Sequence, residues 1–241
     1  MASLDNKLSR SERKRRNQKF MIVEAARKLF EARSYDDVSM EELADAAAVS
    51  KQTLYNYFSS KDSIYFGIGI ENFREAINRT NEMSRSSLSG RELVLKLTEI
   101  FFNTAIEFPL GVEIARRFSI VNSELGGIAE KTLQKRKEKD RMRVKKKSIE
   151  EDLADYLDVA LKYEKYWKSA IETGKKDGTI TSSLTENQLM YYTFILINGI
   201  ANQMQLKRKP VMIALKDGNL DSEKIKDITL SIMKNILENK L

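Results

Sequence analysis

The stretch from Ser39 to Lys61, SMEELADAAAVSKQTLYNYFSSK, carries the strongest structural pattern in the chain. Ser39 followed by Glu42 fits a capping box, which predicts the start of one short helix. Ser50 predicts the N-cap of a second short helix a few residues later. The small residues between the two helices let them cross closely. This spacing is typical of a helix-turn-helix.

The side chains of the two predicted helices divide into inward apolar and outward polar groups. The residues expected to face inward are Leu43, Ala44, Leu54 and Phe58. In a helix-turn-helix the second helix lies in the major groove of DNA, with its first turn at the base edges. Lys51, Gln52 and Thr53 occupy that turn and offer donors and acceptors to bases and phosphates.

Aromatic residues on the second helix indicate contact with the DNA backbone. Tyr55 and Tyr57 are rigid and carry hydroxyls that can donate to phosphate oxygens. The alternative is that both tyrosines only cover a small helical core. Lys61 opens the next helix, where its ammonium and free amides can hold a phosphate. The predicted DNA contacts in this stretch are Ser39, Ser50, Lys51, Gln52, Thr53, Tyr55, Tyr57 and Lys61.

The composition of the 241-residue chain predicts an all-α, globular protein. Glycine and proline are scarce, with 10 and 2 residues, and apolar residues make up 41%. Cysteine and histidine are absent, which excludes disulfides and the commonest transition-metal ligands, cysteine nucleophiles and histidine bases. We therefore expect no enzyme activity and no cofactor. No apolar run is long enough for a membrane span, and a cytoplasmic location is expected.

Two basic runs stand out against a formal net charge of +7. The run from Lys7 to Lys19 has seven basic residues and one acidic residue, and the run from Lys135 to Lys147 has nine and two. Either run is a solvated surface or a contact with a polyanion. The first run is expected to act as a flexible or partly helical DNA-binding arm through Arg13, Arg15 and Arg16. The second run either binds a phosphate-bearing ligand or binds no ligand.

Helix-start and helix-stop signals predict about nine or ten helices. The start of the first helix stays open between Ser9 and Phe20, and its end is expected at Arg33. The remaining helices are expected at about 40–46, 50–58, from 61 into the polar 79–87 region, 91–107, 110–124, 128–147, 149–176, 186–207 and 222–239. Apolar stripes on the last two indicate packing, either within the chain or between two chains.

Residues Phe20 to Phe66 resemble the DNA-binding domain of the TetR family of transcriptional regulators, through the apolar first helix and the VSKQTLYNYFSSK block. The resemblance implies that Asn56 also touches DNA. Ser34 and Ala48 stand where the family usually has glycine. Ser34 is expected to adopt a positive φ at a small cost, and Ala48 indicates a slightly different turn.

The resemblance implies two domains: residues 1–66, a three-helix DNA-binding domain with its basic arm, and residues 67–241, a helical domain for effector binding and dimerisation. Dimerisation is expected through the last two long helices. Candidate effector contacts are apolar and aromatic positions of the middle helices, which are otherwise ordinary core positions. They are Phe101, Phe102, Ala105, Phe118, Asn122, Tyr163, Trp167, Ile171 and Phe194.

Together these observations predict a homodimeric, sequence-specific regulator of transcription. We expect a repressor that leaves a palindromic double-stranded operator when it binds an apolar or amphiphilic effector, and one candidate of this kind is a compound like acyl coenzyme A. The alternative is a DNA-organising structural protein of the same fold without an effector. Salt dependence and site size separate the two, because more neutralised phosphates give a steeper salt slope.

Overall fold

The computed structural model of the chain describes residues 9–83, 88–117, 149–205 and 221–239. Within these ranges the regular structure is entirely helical, as the composition predicts. The helices are α1 Arg10–Ala32, α2 Met40–Ala46, α3 Lys51–Tyr57, α4 Lys61–Glu82, α5 Gly90–Glu107, α6 Leu110–Arg117, α7 Ile149–Lys176, α8 Glu186–Gln205 and α9 Ser222–Leu237, with a short 3₁₀ turn at Tyr35–Asp37.

The helix ends follow the predicted capping signals. Capping boxes join Ser9 with Glu12, Ser39 with Glu42, Ser89 with Glu92 and Thr185 with Gln188, and Asp221 caps α9. Each pair satisfies backbone amides that the first turn of a helix leaves without partners. The pair Ser148 and Glu151, the end of the 110–124 helix and the 128–147 helix fall wholly or partly outside the described residues.

The first helix is longer than its apolar face alone indicates. It begins at Arg10, because Ser9 accepts a hydrogen bond from the Glu12 amide while the Glu12 carboxylate accepts one from the Ser9 amide. Residues 10–19 are therefore helical, so of the two forms expected for the basic arm, flexible or partly helical, the helical one holds for this part of the chain.

The chain divides into two compact units, one of residues 1–70 and 117–158 and the other of residues 71–116 and 159–241. Helices α4 and α7 each contribute residues to both units. The domain boundary between residues 66 and 67 stays a prediction.

The first unit is built around a small apolar core. The inward residues predicted for α2 and α3, Leu43, Ala44, Leu54 and Phe58, are all buried. They pack with the apolar face of α1 and the start of α4, which contribute Ile22, Val23, Ala26, Phe30, Ile64, Tyr65 and Phe66. Gly67 allows close approach here, since a Cβ atom at this position would lie 2.9 Å from Val23 Cγ2.

The turn between α2 and α3 is held by backbone hydrogen bonds. The amides of Ala48 and Val49 donate to the carbonyls of Asp45 and Ala44, each at 3.0 Å. Ala48 adopts the left-handed conformation with φ 51°, whereas Ser34 has φ −58°. The predicted positive φ at Ser34 is therefore wrong, and the conformation occurs at Ala48 instead.

The second unit has a larger core, in which α5 packs against α8 and α9. Trp167, Ile171, Leu189 and Leu237 are almost completely buried there. The ends of α5 and α7 approach closely, because a Cβ atom on Gly90 would lie only 1.9 Å from the backbone nitrogen of Gly174. Glycine is required at this crossing.

Candidate nucleic-acid interface

Helix α3 presents a polar outer face because Leu54 and Phe58 fix its inner face in the core. Lys51, Gln52 and Asn56 are exposed. The Gln52 amide donates to the side-chain oxygen of Asn56 at 3.3 Å, so these two amides are held together on the outside of the helix. An amide pair of this kind is suited to adenine edges in the major groove.

The first turn of α3 is fixed by its cap. The Ser50 hydroxyl accepts from the Thr53 amide at 3.0 Å and lies 2.8 Å from the Thr53 hydroxyl. Ser50 and Thr53, both predicted to contact DNA, therefore also stabilise the start of α3. Lys51 forms an exposed ion pair with Glu41 on α2, and exposed pairs of this type are weak. A phosphate can replace Glu41 at little cost.

Ser39 and Glu42 position the start of α2. The Ser39 hydroxyl donates to the Glu42 carboxylate at 2.8 Å, and the Glu42 amide donates back to the hydroxyl at 3.2 Å. Arg33 binds the same carboxylate. These hydrogen bonds, with that from Arg33 contributing most, lower the pKa of Glu42 to about 2. Glu42 is therefore ionised at neutral pH and completes the cap.

The Lys61 ammonium is engaged inside the first unit. It donates to the carbonyl oxygens of Tyr35 at 2.6 Å and of Val38 at 2.8 Å, and it lies 4.2 Å from the centre of the Tyr35 ring. It thereby fixes the 3₁₀ turn that precedes α2. The geometry favours a positioning role for Lys61 over a phosphate contact.

The helical form of residues 10–19 separates the predicted arm residues. The Arg15 guanidinium lies over the Tyr57 ring at 5.4 Å, and Lys19 lies over the Phe58 ring at 5.0 Å. Arg15 and Lys19 thus share the face toward α3. Arg13 is two positions from Arg15, which places it about 200° around the helix. Tyr55 and Tyr57 are half-buried, and Arg13, Arg15 and Arg16 are exposed.

The candidate effector residues form two groups in the second unit. Phe101, Tyr163, Trp167 and Phe194 pack with ring centres 5.0 to 6.4 Å apart, and Ile171 joins the same core. Phe102 and Ala105 belong to a separate cluster with Ile197 and Ala201. Phe118 and Asn122 lie outside the described residues. The role of all nine in effector binding stays a prediction.

A cleft of about 480 Å³ lies beside this aromatic core and was not predicted from the sequence. It is lined by Ile77, Thr80, Met83, Leu93, Leu97, Lys162, Lys165, Tyr166, Ser169 and Ala170. The available signal was a pair of lysines, three residues apart, at the edge of the apolar stripe of α7. That signal is weak, because lysines commonly border the apolar face of a surface helix.

Exposed apolar side chains concentrate on the last two helices. Among the described residues, five of the eight large exposed apolar side chains lie there: Tyr191, Tyr192, Ile195, Met204 and Ile228. We call these five the α8/α9 surface. The apolar stripes predicted on these helices contain both kinds of position, since Tyr192, Met204 and Ile228 are exposed whereas Leu189 is buried.

The parts of the chain that the structure describes contain no cluster of three acidic side chains able to hold a metal ion. In the same parts, no helix has the length and apolar character needed to cross a membrane.

Comparisons with known proteins agree with this architecture. The family model of the bacterial regulatory proteins of the tetR family matches residues 22–68. The transcriptional activator FasR of Mycolicibacterium smegmatis is 31% identical over 98 residues, which are 41% of this chain and 42% of that protein. The chain thus spans less than half the length of this curated relative.

Solved structures with a similar fold cover nearly the whole chain. FadR of Bacillus subtilis, in complex with stearoyl-CoA, has a TM-score of 0.62 at 15% identity and covers 91% of this chain and 99% of its own. AibR, in complex with isovaleryl coenzyme A and operator DNA, has a TM-score of 0.56 at 17% identity, and the match covers 89% of this chain and 97% of AibR. At these identities the likeness shows the fold.

Proposed function

Through residues 22–68 the chain belongs to the tetR family of bacterial regulatory proteins, and from this premise we propose that it is a homodimeric regulator that binds a palindromic DNA operator. The observation that carries the proposal is the outer face of α3, where Lys51, Gln52 and Asn56 are exposed on a helix anchored by Leu54 and Phe58. As a DNA-binding regulator it acts in the cytoplasm.

The proposed DNA contacts follow from the position of each side chain. Gln52 and Asn56 read base edges from the major groove. Lys51 exchanges Glu41 for a phosphate, and Tyr57 with Arg15 contacts the backbone at the flank of the same groove. Lys61 and Ser39 position α2 and α3 instead of carrying the binding energy.

The α8/α9 surface supports a homodimer. Exposed apolar residues on adjacent helices favour a second copy of the same surface, since a symmetric dimer buries one patch against itself. Gly199 lies exposed within α8, and no atom comes within 4 Å of a Cβ at this position. Glycine inside a helix costs about 1 kcal/mol relative to alanine. A helix of the second copy crossing close to Gly199 would explain this residue.

The proposal includes a small effector bound in the second unit. Two proteins of the same fold are seen with acyl coenzyme A compounds, and this chain has a large aromatic core with a cleft beside it. We propose that the effector releases the protein from its operator. Whether release raises or lowers transcription depends on the promoter, and the curated relative FasR is an activator.

Selection from a random DNA pool tests the proposal. We expect a palindromic consensus with two half-sites about one helical turn apart, or a multiple of this distance, matching the two-fold symmetry of the dimer. A DNA-organising protein would instead enrich no consensus and would show a steeper salt slope over a longer site. Enrichment without a consensus would therefore favour the structural alternative.

A further inference from the structure

One side of α1 forms an open apolar groove in the first unit. The groove measures about 520 Å³. Phe20 and Met21 at its start are 49% and 61% exposed. Neighbouring exposed apolar side chains with polar residues at their edge mark interaction surfaces, whereas isolated ones do not. We call the residues that line it the α1 groove: Phe20, Met21, Glu24, Ala25, Lys28, Leu29, Ala32 and Ala46.

The α1 groove lies on the side of α1 away from α3. Lys19 faces α3, since its ammonium lies over the Phe58 ring at 5.0 Å. Met21 is two positions from Lys19, which places it about 200° around the helix. The groove and the side of α1 that faces α3 can therefore be occupied at the same time.

The centre of the groove is a narrow stripe that runs from a large side chain to a small one. Its residues follow one another at spacings of four, three and four, so they lie along one line of the helix: Met21, Ala25, Lys28 and Ala32. The aliphatic stem of Lys28 continues the apolar surface, and Ala25 leaves room for close approach. A second copy of the stripe, placed antiparallel, would set Met21 against Ala32 at both ends.

The charges of the groove are self-complementary in the same arrangement. Lys28 is exposed, and the Glu24 side chain is 34% exposed. Glu24 pairs with Arg27 at 3.0 Å, and a carboxylate has sites for a second cation. In the antiparallel arrangement Glu24 of each copy meets Lys28 of the other copy. This pair is centred on nearly the same point of α1 as Met21 and Ala32, so one two-fold axis serves both.

We propose that the α1 groove binds the α1 groove of a second copy of this chain, with the two helices antiparallel, and that this contact joins neighbouring dimers on DNA. One acid and one base in the same groove favour neither a strongly charged protein nor an anionic membrane as the partner. The groove has eight lining residues, whereas a stable complex uses about 20–30 on each side. The contact is therefore weak in solution and forms when DNA holds two dimers close together. Only this last step rests on the proposed function.

A single introduced thiol tests the contact, because the chain has no cysteine of its own. Ala25→Cys places a thiol beside the proposed axis, where a short bis-maleimide should link two chains. Leu161→Cys is the control, since Leu161 is 47% exposed and lies on α7. We expect a yield several-fold above the control, and a further increase with a DNA duplex long enough for two dimers. Yields no higher than the control's, with and without the duplex, would overturn the inference and leave the groove to another kind of partner.

Charge reversal separates a contact between copies from a role within one chain. In the Ala25→Cys protein, Glu24→Lys should lower the cross-linking yield about ten-fold, because the two-fold axis turns two attractions into two repulsions. Lys28→Glu should have the same effect. An equal mixture of the two variants should restore cross-linking, since each then meets the opposite charge. Reversals that leave the yield unchanged, or a mixture that does not restore it, would contradict the antiparallel pairing.

Ile195→Arg separates this contact from the proposed α8/α9 dimer, because the α1 groove shares no residue with that surface. Cross-linking of Ala25→Cys should persist in this variant. The native mass of the product should correspond to two dimers without Ile195→Arg and to two single chains with it. A yield above the control that DNA does not raise would support the groove contact and overturn its role on DNA. If DNA binding persists while Ala25→Cys gives no link, only this inference fails.

Discussion

Ala48 is the residue at which sequence and backbone disagree most clearly. Its φ of 51° places a side chain in the left-handed region, which costs a non-glycine residue about 1–2 kcal/mol. The sequence predicted the positive φ at Ser34 and only a slightly different turn at Ala48, whereas the structure has the positive φ at Ala48. The difference depends on how α2 and α3 meet at the buried Leu43 and Leu54, which is a tertiary effect.

We expect Ala48→Gly to stabilise the protein by about 0.5–1 kcal/mol. The gain from relieving the left-handed strain exceeds the entropy that glycine adds to the unfolded chain. Ala47→Gly is the matched control, because Ala47 has φ −84° and carries no left-handed strain. This variant should lower the free energy of unfolding by about 0.5–1 kcal/mol. Urea unfolding measures both changes. Loss of stability in both variants would contradict the role of Ala48.

Lys61 shows how a predicted DNA contact can have a structural role. We expect Lys61→Met to lower the free energy of unfolding by about 2 kcal/mol, because it removes hydrogen bonds from a charged group to the carbonyls of Tyr35 and Val38. The salt slope of DNA binding, measured at a temperature where the variant is folded, should stay unchanged. A slope reduced by about one unit with normal stability would instead assign Lys61 to a phosphate.

At the scale of the helix, the length of α1 changes what the basic run can do. A flexible arm would let all its arginines reach DNA, whereas a helix separates them by their angular position. The capping box at Ser9 was visible in the sequence, but its strength relative to a frayed basic segment was not. Contacts of Arg15 with Tyr57 and of Lys19 with Phe58 add support that only the tertiary structure supplies.

Arg15 and Arg13 therefore make a matched pair. We expect Arg15→Gln to weaken DNA binding several-fold and to reduce the salt slope by about one unit, because Arg15 lies beside the outer end of α3. Arg13→Gln removes the same charge from the opposite side of α1 and should have a clearly smaller effect. Titrations at several salt concentrations measure both slopes. Equal slopes for the two variants would show that only the general charge of the run matters.

At the scale of the whole molecule, the structure confirms the predicted helical fold, whereas the candidate effector residues stay a prediction. Caps and apolar periodicity located the described helices because those signals act within one turn. Buried candidates such as Trp167 belong to the core of the second unit, and the sequence could not separate core from ligand wall, because both show the same periodicity. The cleft depends on how three helices diverge, which no local pattern records.

The proposed dimerisation through the α8/α9 surface also belongs to the scale of the whole molecule. We expect Ile195→Arg to give a monomer and to weaken operator binding at least ten-fold, because both half-sites must then be bound independently. Leu161→Arg is the control, because Leu161 is about as exposed as Ile195, at 47% against 51%. Leu161 lies on α7, outside the α8/α9 surface, so this variant should stay dimeric. Sedimentation analysis would contradict this surface if both variants stayed dimeric, or if both dissociated.

The most direct test of the central claim is the change in DNA specificity caused by Gln52→Ala. If α3 reads bases, the variant should lose about 1–3 kcal/mol of discrimination at one position in each half-site, and the other positions should keep their preference. Selection from a random pool with the wild-type protein and the variant in parallel measures this. A consensus that Gln52→Ala leaves unchanged at every position would contradict base reading by this face of α3.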